Sequence, residues 1–350
     1  MTADTAPDRR PQTDRTIHVV SEFANASGGT EWYALNLAAA LRQVHDDVRC
    51  WADYGEPDAV FSARRGIEQI ALPRRHRPGS GHFPRRGHVI LLGEWWLPGA
   101  WLRLGDVSRI TQVATIVWER DHAPVRAALL ETGCPVDHVF VCDAQRRFYD
   151  LPGPVHPVPM SIDLFRPRAG AAPSDRFVVG RLSRDVVEKH DFVNDPPLYS
   201  ALLSRGAAVR LMGATCIAPM LQRHPRMHVM PVRSEPATDF LHGLDCFFFR
   251  TGTWYDTFAT VLFEAMASGL PVVAHRWGGY SEYIRDGMDA FLFDTQEEAL
   301  DILETLRKDV DLRMRMGAQA RRAVEALYSP QAVRDRALHY LRPPVAPKAS

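Results

Sequence analysis

Asp256 and Glu264 stand eight residues apart in "DTFATVLFE", with mostly apolar residues between them. Phe258, Leu262 and Ala265 fall at helical spacing, Gly269 suits the position just past a helix end, and Pro271 opens a strand. This predicts a helix over about 258–268, fed by the irregular turn "RTGTWYDT". Eight residues at the helical rise place the acids up to roughly 12 Å apart along the axis. A helix N-terminus between them attracts an anion. Such a set suits one elongated, hydroxyl-rich ligand with an anionic middle. The structural alternative is an Asp that complements the helix dipole and a Glu paired with a core arginine.

Other segments carry candidates of the same kind. "GRLSRDVVEKH" (180–190) follows a strand and holds Arg181, Arg184 and Lys189. Cations beside a phosphate stabilise the charge that grows on a leaving group, and a solvated basic loop is the plainer reading. Gly28 and Gly29 lie in "SEFANASGGTEW", a strand, turn and helix start where a backbone can approach a phosphate. Glu94 and Trp95, with Trp96, follow one strand, and Glu119, Asp121 and His122 follow another; all are candidates for contact with a second substrate. Asp195 and Pro196 read as a helix cap and first turn. Asp309-x-Asp311 lies between two helical patterns and reads as capping, not as a metal site. The basic stretch 74–86 suits a flexible loop, or recognition of an anionic acceptor or lipid headgroup.

The elements that must position these residues alternate regularly. Runs at 17–23, 48–54, 88–94, 110–118 and 138–142 read as buried strands, with a helix at 30–43. After a Pro-, Gly- and Ala-rich break at 161–175 the pattern restarts, with strands at 176–182, 207–213, 227–232, 244–250 and 271–275. Alternating strands and helices predict an α/β protein of two Rossmann-like doubly wound domains facing a cleft. The predicted division is a disordered tail at 1–16, an N-terminal domain at 17–165 and a C-terminal domain at 174–328. A last helix at about 329–341 returns to the first domain.

The chain has 350 residues, beyond the roughly 250–300 at which single cores stop growing. Hydrophobic residues make up 46% and charged residues 24%, as in an ordinary globular protein. Basic and acidic residues number 42 each, which argues against a nucleic-acid partner. Five scattered cysteines without a Cys-x-x-Cys pair suit reduced thiols in the cytoplasm. The first sixteen residues lack the apolar core of a signal peptide, and no apolar run reaches membrane-spanning length. Membrane association is therefore expected to be peripheral at most.

The segment "YDTFATVLFEAMASGLPVVAHRWGGYSEYIRDG" (255–287) resembles the nucleotide-sugar signature of family 4-type retaining glycosyltransferases of the GT-B fold. That signature has two acids eight apart, Phe-Gly after the first, then "EAMA", "G-P-V-V-A" and "GG-x-x-E-x-I-x-x-G". The resemblance implies that Asp256 meets the donor sugar, that backbone N–H groups of Phe258, Ala259 and Thr260 meet the diphosphate, and that Glu264 holds the ribose. Gly28 and Gly29 resemble the family's donor loop. Arg181, in its "GRL" context, and Lys189 stand where the family's diphosphate cations are expected, with Arg184 as the alternative arginine.

Three departures stand out: Asp256 replaces Glu, Ala259 replaces Gly, and His190 takes the place of a glycine after the lysine. Ala259 is expected to sit comfortably at ordinary helical dihedrals. The function implied is transfer of a hexosyl-type sugar from a UDP-, GDP- or ADP-linked donor to an acceptor, with retention and without metal or other cofactor. The acceptor would be a saccharide, a lipid-linked saccharide or a small natural product. A GT-B epimerase or hydrolase, and a non-catalytic sugar-nucleotide-binding subunit, are the alternatives.

Overall fold

The computed structural model describes residues 13–24, 29–55, 66–72, 83–94, 96–117, 123–168 and 176–343. The chain divides into two compact units, 1–160 with 330–350, and 161–329. Each is built on one six-stranded, wholly parallel sheet.

In the first unit the strands are β1 (Ile17–Phe23), β2 (Val48–Tyr54), β3 (Gln69–Ala71), β4 (His88–Leu92), β5 (Arg109–Val113) and β6 (Val136–Val139). Their order across the sheet is β3-β2-β1-β4-β5-β6. Helices α1 (Gly29–Leu41), α2 (Trp101–Leu104), α3 (Ala123–Leu130) and α4 (Asp143–Tyr149) alternate with them. Ala34, Leu37, Ala38 and Leu41 of α1 are all buried, as their spacing predicts. Every residue of β4 and of β5 is buried; β4 reads as an apolar run, whereas β5 buries Arg109, Thr111 and Gln112 as well.

β5 is shorter than its sequence suggests, and Glu94 supplies the reason. Its carboxylate accepts the backbone N–H groups of Thr115 (2.8 Å) and Ile116 (2.9 Å), which turns the chain out of the sheet.

In the second unit the strands are β7 (Val178–Leu182), β8 (Ala208–Met212), β9 (Met227–Met230), β10 (Cys246–Phe249), β11 (Val272–His275) and β12 (Phe291–Phe293). They lie in the order β12-β11-β10-β7-β8-β9. The helices are α5 (Asp195–Ser204), α6 (Ala237–His242), α7 (Thr260–Ala267), α8 (Gln296–Lys308) and α9 (Val310–Leu327). β10 shows how both faces of the sheet are filled. Phe248 meets Tyr199 edge-on (6.2 Å) and stacks on Phe293 (5.5 Å), while Phe249 turns the other way to Tyr280 (5.3 Å).

Asp309 caps α9 by accepting from Leu312 N–H at 2.8 Å. The last helix, α10 (Pro330–His339), belongs to the first unit and packs on α1. Arg109 Nη1 secures the segment after it, donating to the carbonyls of Tyr340 (3.1 Å) and Arg342 (2.5 Å). Among the described residues no helix is long and apolar enough to cross a membrane.

Candidate active site

In the second sheet the strand order reverses between β7 and β10. Ligands of open parallel sheets bind beyond the carboxyl ends of the strands at such a switch point. Arg181, Arg184 and Lys189 lie on β7 and its loop; Trp254 and Asp256 lie on the loop after β10.

The β7 loop is tied down on both sides. Ser183 Oγ donates to Gly213 O (3.1 Å), and His190 Nε2 lies 3.0 Å from the same oxygen. Gly213 has φ +82°, and a Cβ there would come within 1.9 Å of Ser183 O, so only glycine lets β8 end so close to this loop. On the other side Trp254 N–H donates to Glu188 O (3.2 Å). The two loops therefore form one hydrogen-bonded wall.

Lys189 Nζ lies 2.5 Å from Asp256 Oδ2, with both side chains largely buried. Burial holds the Lys189 ammonium below the usual lysine range, against the opposing pull of Asp256. The indole of Trp254 is flanked by Lys189 Nζ (5.4 Å from the ring centroid) and Arg184 Cζ (5.8 Å). Arg184 is exposed. One face of the loop pair thus presents an ammonium, a guanidinium and a carboxylate around an aromatic plate.

From Asp256 the chain enters α7. Gly279 N–H fixes the Asp256 carbonyl at 2.9 Å, and Phe258 stacks on Phe263 at 4.3 Å. No side chain caps α7, and of its first-turn N–H groups that of Leu262 turns back to the Ala259 carbonyl at 2.8 Å.

Glu264 sits on the second turn of that helix, half-buried, its carboxylate without a hydrogen bond or ion pair to any described residue. Burial alone raises its pKa to about 7. The native state therefore holds this proton while the unfolded chain loses it near pH 4.5. Stability is lost as pH rises from about 4.5 to 7, by at most about 3 kcal/mol. Glu264→Gln should flatten this part of the pH–stability curve. Urea midpoints of both proteins at pH 5 and 7.5 test it, and equal slopes would mean that the carboxylate has a partner.

Residues 227–323 match the family model described as "Glycosyl transferases group 1". The match falls wholly within the second unit. "Spore coat protein SA" of Bacillus subtilis is 28% identical over 101 residues, which covers 28% of this chain and 27% of that protein. "D-inositol 3-phosphate glycosyltransferase" of Corynebacterium efficiens is 40% identical over 70 residues, 19% of this chain and 16% of that protein. The matched stretches thus span about a quarter or less of these curated relatives. A crystal structure of HepE from Anabaena, in complex with UDP and glucose, aligns with TM-score 0.72 at 15% identity. That alignment covers 93% of this chain and 99% of the other, and the fold shared is GT-B.

In the second unit the structure gathers Arg184, Lys189, Asp256, Ala259, Thr260 and Glu264 on the loops and helix at the switch point, the first two lying ahead of the matched residues 227–323. It corrects three expectations. Arg181 does not face a diphosphate: it is 1% exposed, with its Nη1 on Asp195 Oδ2 (3.0 Å) and its Nη2 on the carbonyl of Lys189. Asp195 is not the cap of α5, because Asn194 holds that position and Asp195 is spent on Arg181 and Arg250. Ala259 is not in a helical conformation. It has φ +29° and ψ +66°, a left-handed region that costs a non-glycine residue about 1–2 kcal/mol. A glycine there would be free of that strain.

Glu94 is buried, and its carboxylate accepts from two amides and the Tyr149 hydroxyl (3.2 Å), which shapes the loop after β5. The Phe258 ring is likewise interior, leaving only its backbone for a ligand. Gly29 opens α1 in the first unit. Gly28, Trp95, Glu119, Asp121 and His122 lie outside the described residues. Trp254 was not among the expected site residues, and no local spacing marks it.

Proposed function

We propose that this chain is a retaining glycosyltransferase that takes a sugar from a nucleoside diphosphate donor and places it on an acceptor hydroxyl. The observation that carries the reading is the cationic pair Lys189 and Arg184 set opposite Asp256, beside the uncapped start of α7. The diphosphate lies against that helix start, with Lys189 and Arg184 neutralising its charge. Glu264, whose carboxylate has no partner among the described residues, accepts from the ribose hydroxyls. Asp256 accepts from a hydroxyl of the donor sugar. No divalent metal is required, because the two cations supply the positive charge.

In the reaction the acceptor oxygen bonds to the anomeric carbon on the face the diphosphate leaves. The bond from that carbon to the diphosphate oxygen breaks, and the acceptor proton passes to that oxygen. UDP is the first nucleotide to test, since the HepE complex holds it. The acceptor class is a saccharide, a lipid-linked saccharide or a small natural product, met in the cytoplasm.

The experiment is a panel of UDP-, GDP- and ADP-sugars with methanol and water as surrogate acceptors, read by proton NMR. The expected first product keeps the donor's anomeric coupling, α from an α-linked donor. An inverted first product would overturn retention, and no turnover or binding with any donor would overturn the activity.

A further inference from the structure

Asp195 is fully buried at the start of α5, and three groups converge on it. Its Oδ2 accepts from Arg181 Nη1 (3.0 Å) and from the backbone N–H of Asp191 (3.1 Å). Its Oδ1 accepts from Arg250 Nε (2.9 Å). Arg181 belongs to β7 and Arg250 directly follows β10, so one carboxylate joins the two strands that flank the switch point. Both arginines are almost wholly buried.

Such a cluster is a poor source of stability, because apolar side chains of similar volume often do as well or better. What it supplies is geometry. Arg181 is a planar fork: one arm holds Asp195 and the other donates to the backbone carbonyl of Lys189. The residue that follows is held as well, through His190 Nε2 at Gly213 O. With its carbonyl pinned and its neighbour fixed, Lys189 directs its ammonium onto Asp256.

We propose that Asp195, acting through Arg181, is the positioning residue that aims Lys189 at the donor diphosphate. The inference rests on the glycosyltransferase reading above. Arg181 then contributes through the backbone of the β7 loop, while the exposed Arg184 is the arginine that meets the phosphate. The Arg250 arm holds the β10 loop at a set distance from Lys189, which keeps the ammonium and Asp256 in register.

The test compares three variants of the full chain: Arg181→Lys, Asp195→Asn and Leu303→Ala. Arg181→Lys keeps the charge beside Asp195 but loses the fork. Asp195→Asn removes the carboxylate charge while keeping its shape. Leu303 is a buried core leucine of α8 in the same unit, and its truncation lowers stability without touching either loop. Calorimetry with UDP, GDP and ADP gives the affinities, and thermal midpoints report the stability loss.

Arg181→Lys is expected to weaken the preferred nucleotide about tenfold, and Asp195→Asn at least as much, while Leu303→Ala at a comparable midpoint stays within about twofold of wild type. If Asp195→Asn does not fold, Arg181→Lys against Leu303→Ala still decides. Wild-type affinity in Arg181→Lys, or an equal loss in Leu303→Ala, overturns the positioning role. A wild-type protein that binds none of the three nucleotides defeats the functional reading and this inference with it. That result is distinct from binding that Lys189→Ala abolishes and Arg181→Lys leaves intact.

Discussion

Lys189→Ala is expected to lower sugar transfer at least about a hundredfold and to weaken nucleoside diphosphate binding, with the fold intact. The ammonium is largely buried and lies against Asp256, and in the proposed reaction it faces the charge that grows on the departing diphosphate. Removing it leaves that charge to the more exposed Arg184. A lysine is itself a rare choice in this chain, which has 42 basic residues but only three lysines, at 189, 308 and 348. A compact ammonium fits the narrow space between Trp254 and Asp256, whereas a planar guanidinium is already used next door. Lys189→Arg should therefore not restore activity. Chelator treatment should leave the wild-type rate nearly unchanged. Activity lost to a chelator and regained with magnesium or manganese, or full activity in Lys189→Ala, would contradict this.

Asp256→Asn is expected to separate binding from transfer. In the free protein Lys189 and Asp256 neutralise each other at 2.5 Å, so a diphosphate must compete with the carboxylate for the ammonium. Asparagine removes the competitor, and affinity for the free nucleoside diphosphate should hold or rise by several fold. Transfer should fall at least about a hundredfold, because the sugar loses its anionic partner.

The same substitution gives a second signal. Asp256 raises the Lys189 pKa against the larger effect of burial, so its loss should let that pKa fall further. With three lysines, reductive ¹³C-methylation leaves a spectrum simple enough to follow the Lys189 titration. Nucleotide affinity that falls together with transfer would place Asp256 in the architecture of the phosphate site and not beside the sugar.

Much of the fold is legible because parallel strands buried on both faces leave continuous apolar runs, and β10, "CFFF", is the extreme case. β3 and β12 are three-residue edge strands, too short to set a period. The early end of β5 depends on Glu94, more than twenty residues back, reaching the amides of Thr115 and Ile116. The acids of the candidate site stand out since a charged residue in an apolar helix is costly without a purpose. The arginines do not sort themselves in this way. Arg181 and Arg184 are told apart by Asp195, which a helix brings in, and by the Lys189 carbonyl; these draw Arg181 inward and leave Arg184 outside. Ala259 looks helical by residue type, but the entry from the loop after β10 requires the left-handed region.

The return of α10 to the first unit imposes an order on synthesis. A ribosome delivers β1 to β6 first, then the whole of residues 161–329, and only afterwards the helix that packs on α1. Until that last segment emerges, Arg109 has no Tyr340 or Arg342 carbonyl to bond, and the buried face of α1 is open to water. The second unit can thus complete its folding while the earlier-made half still waits for α10.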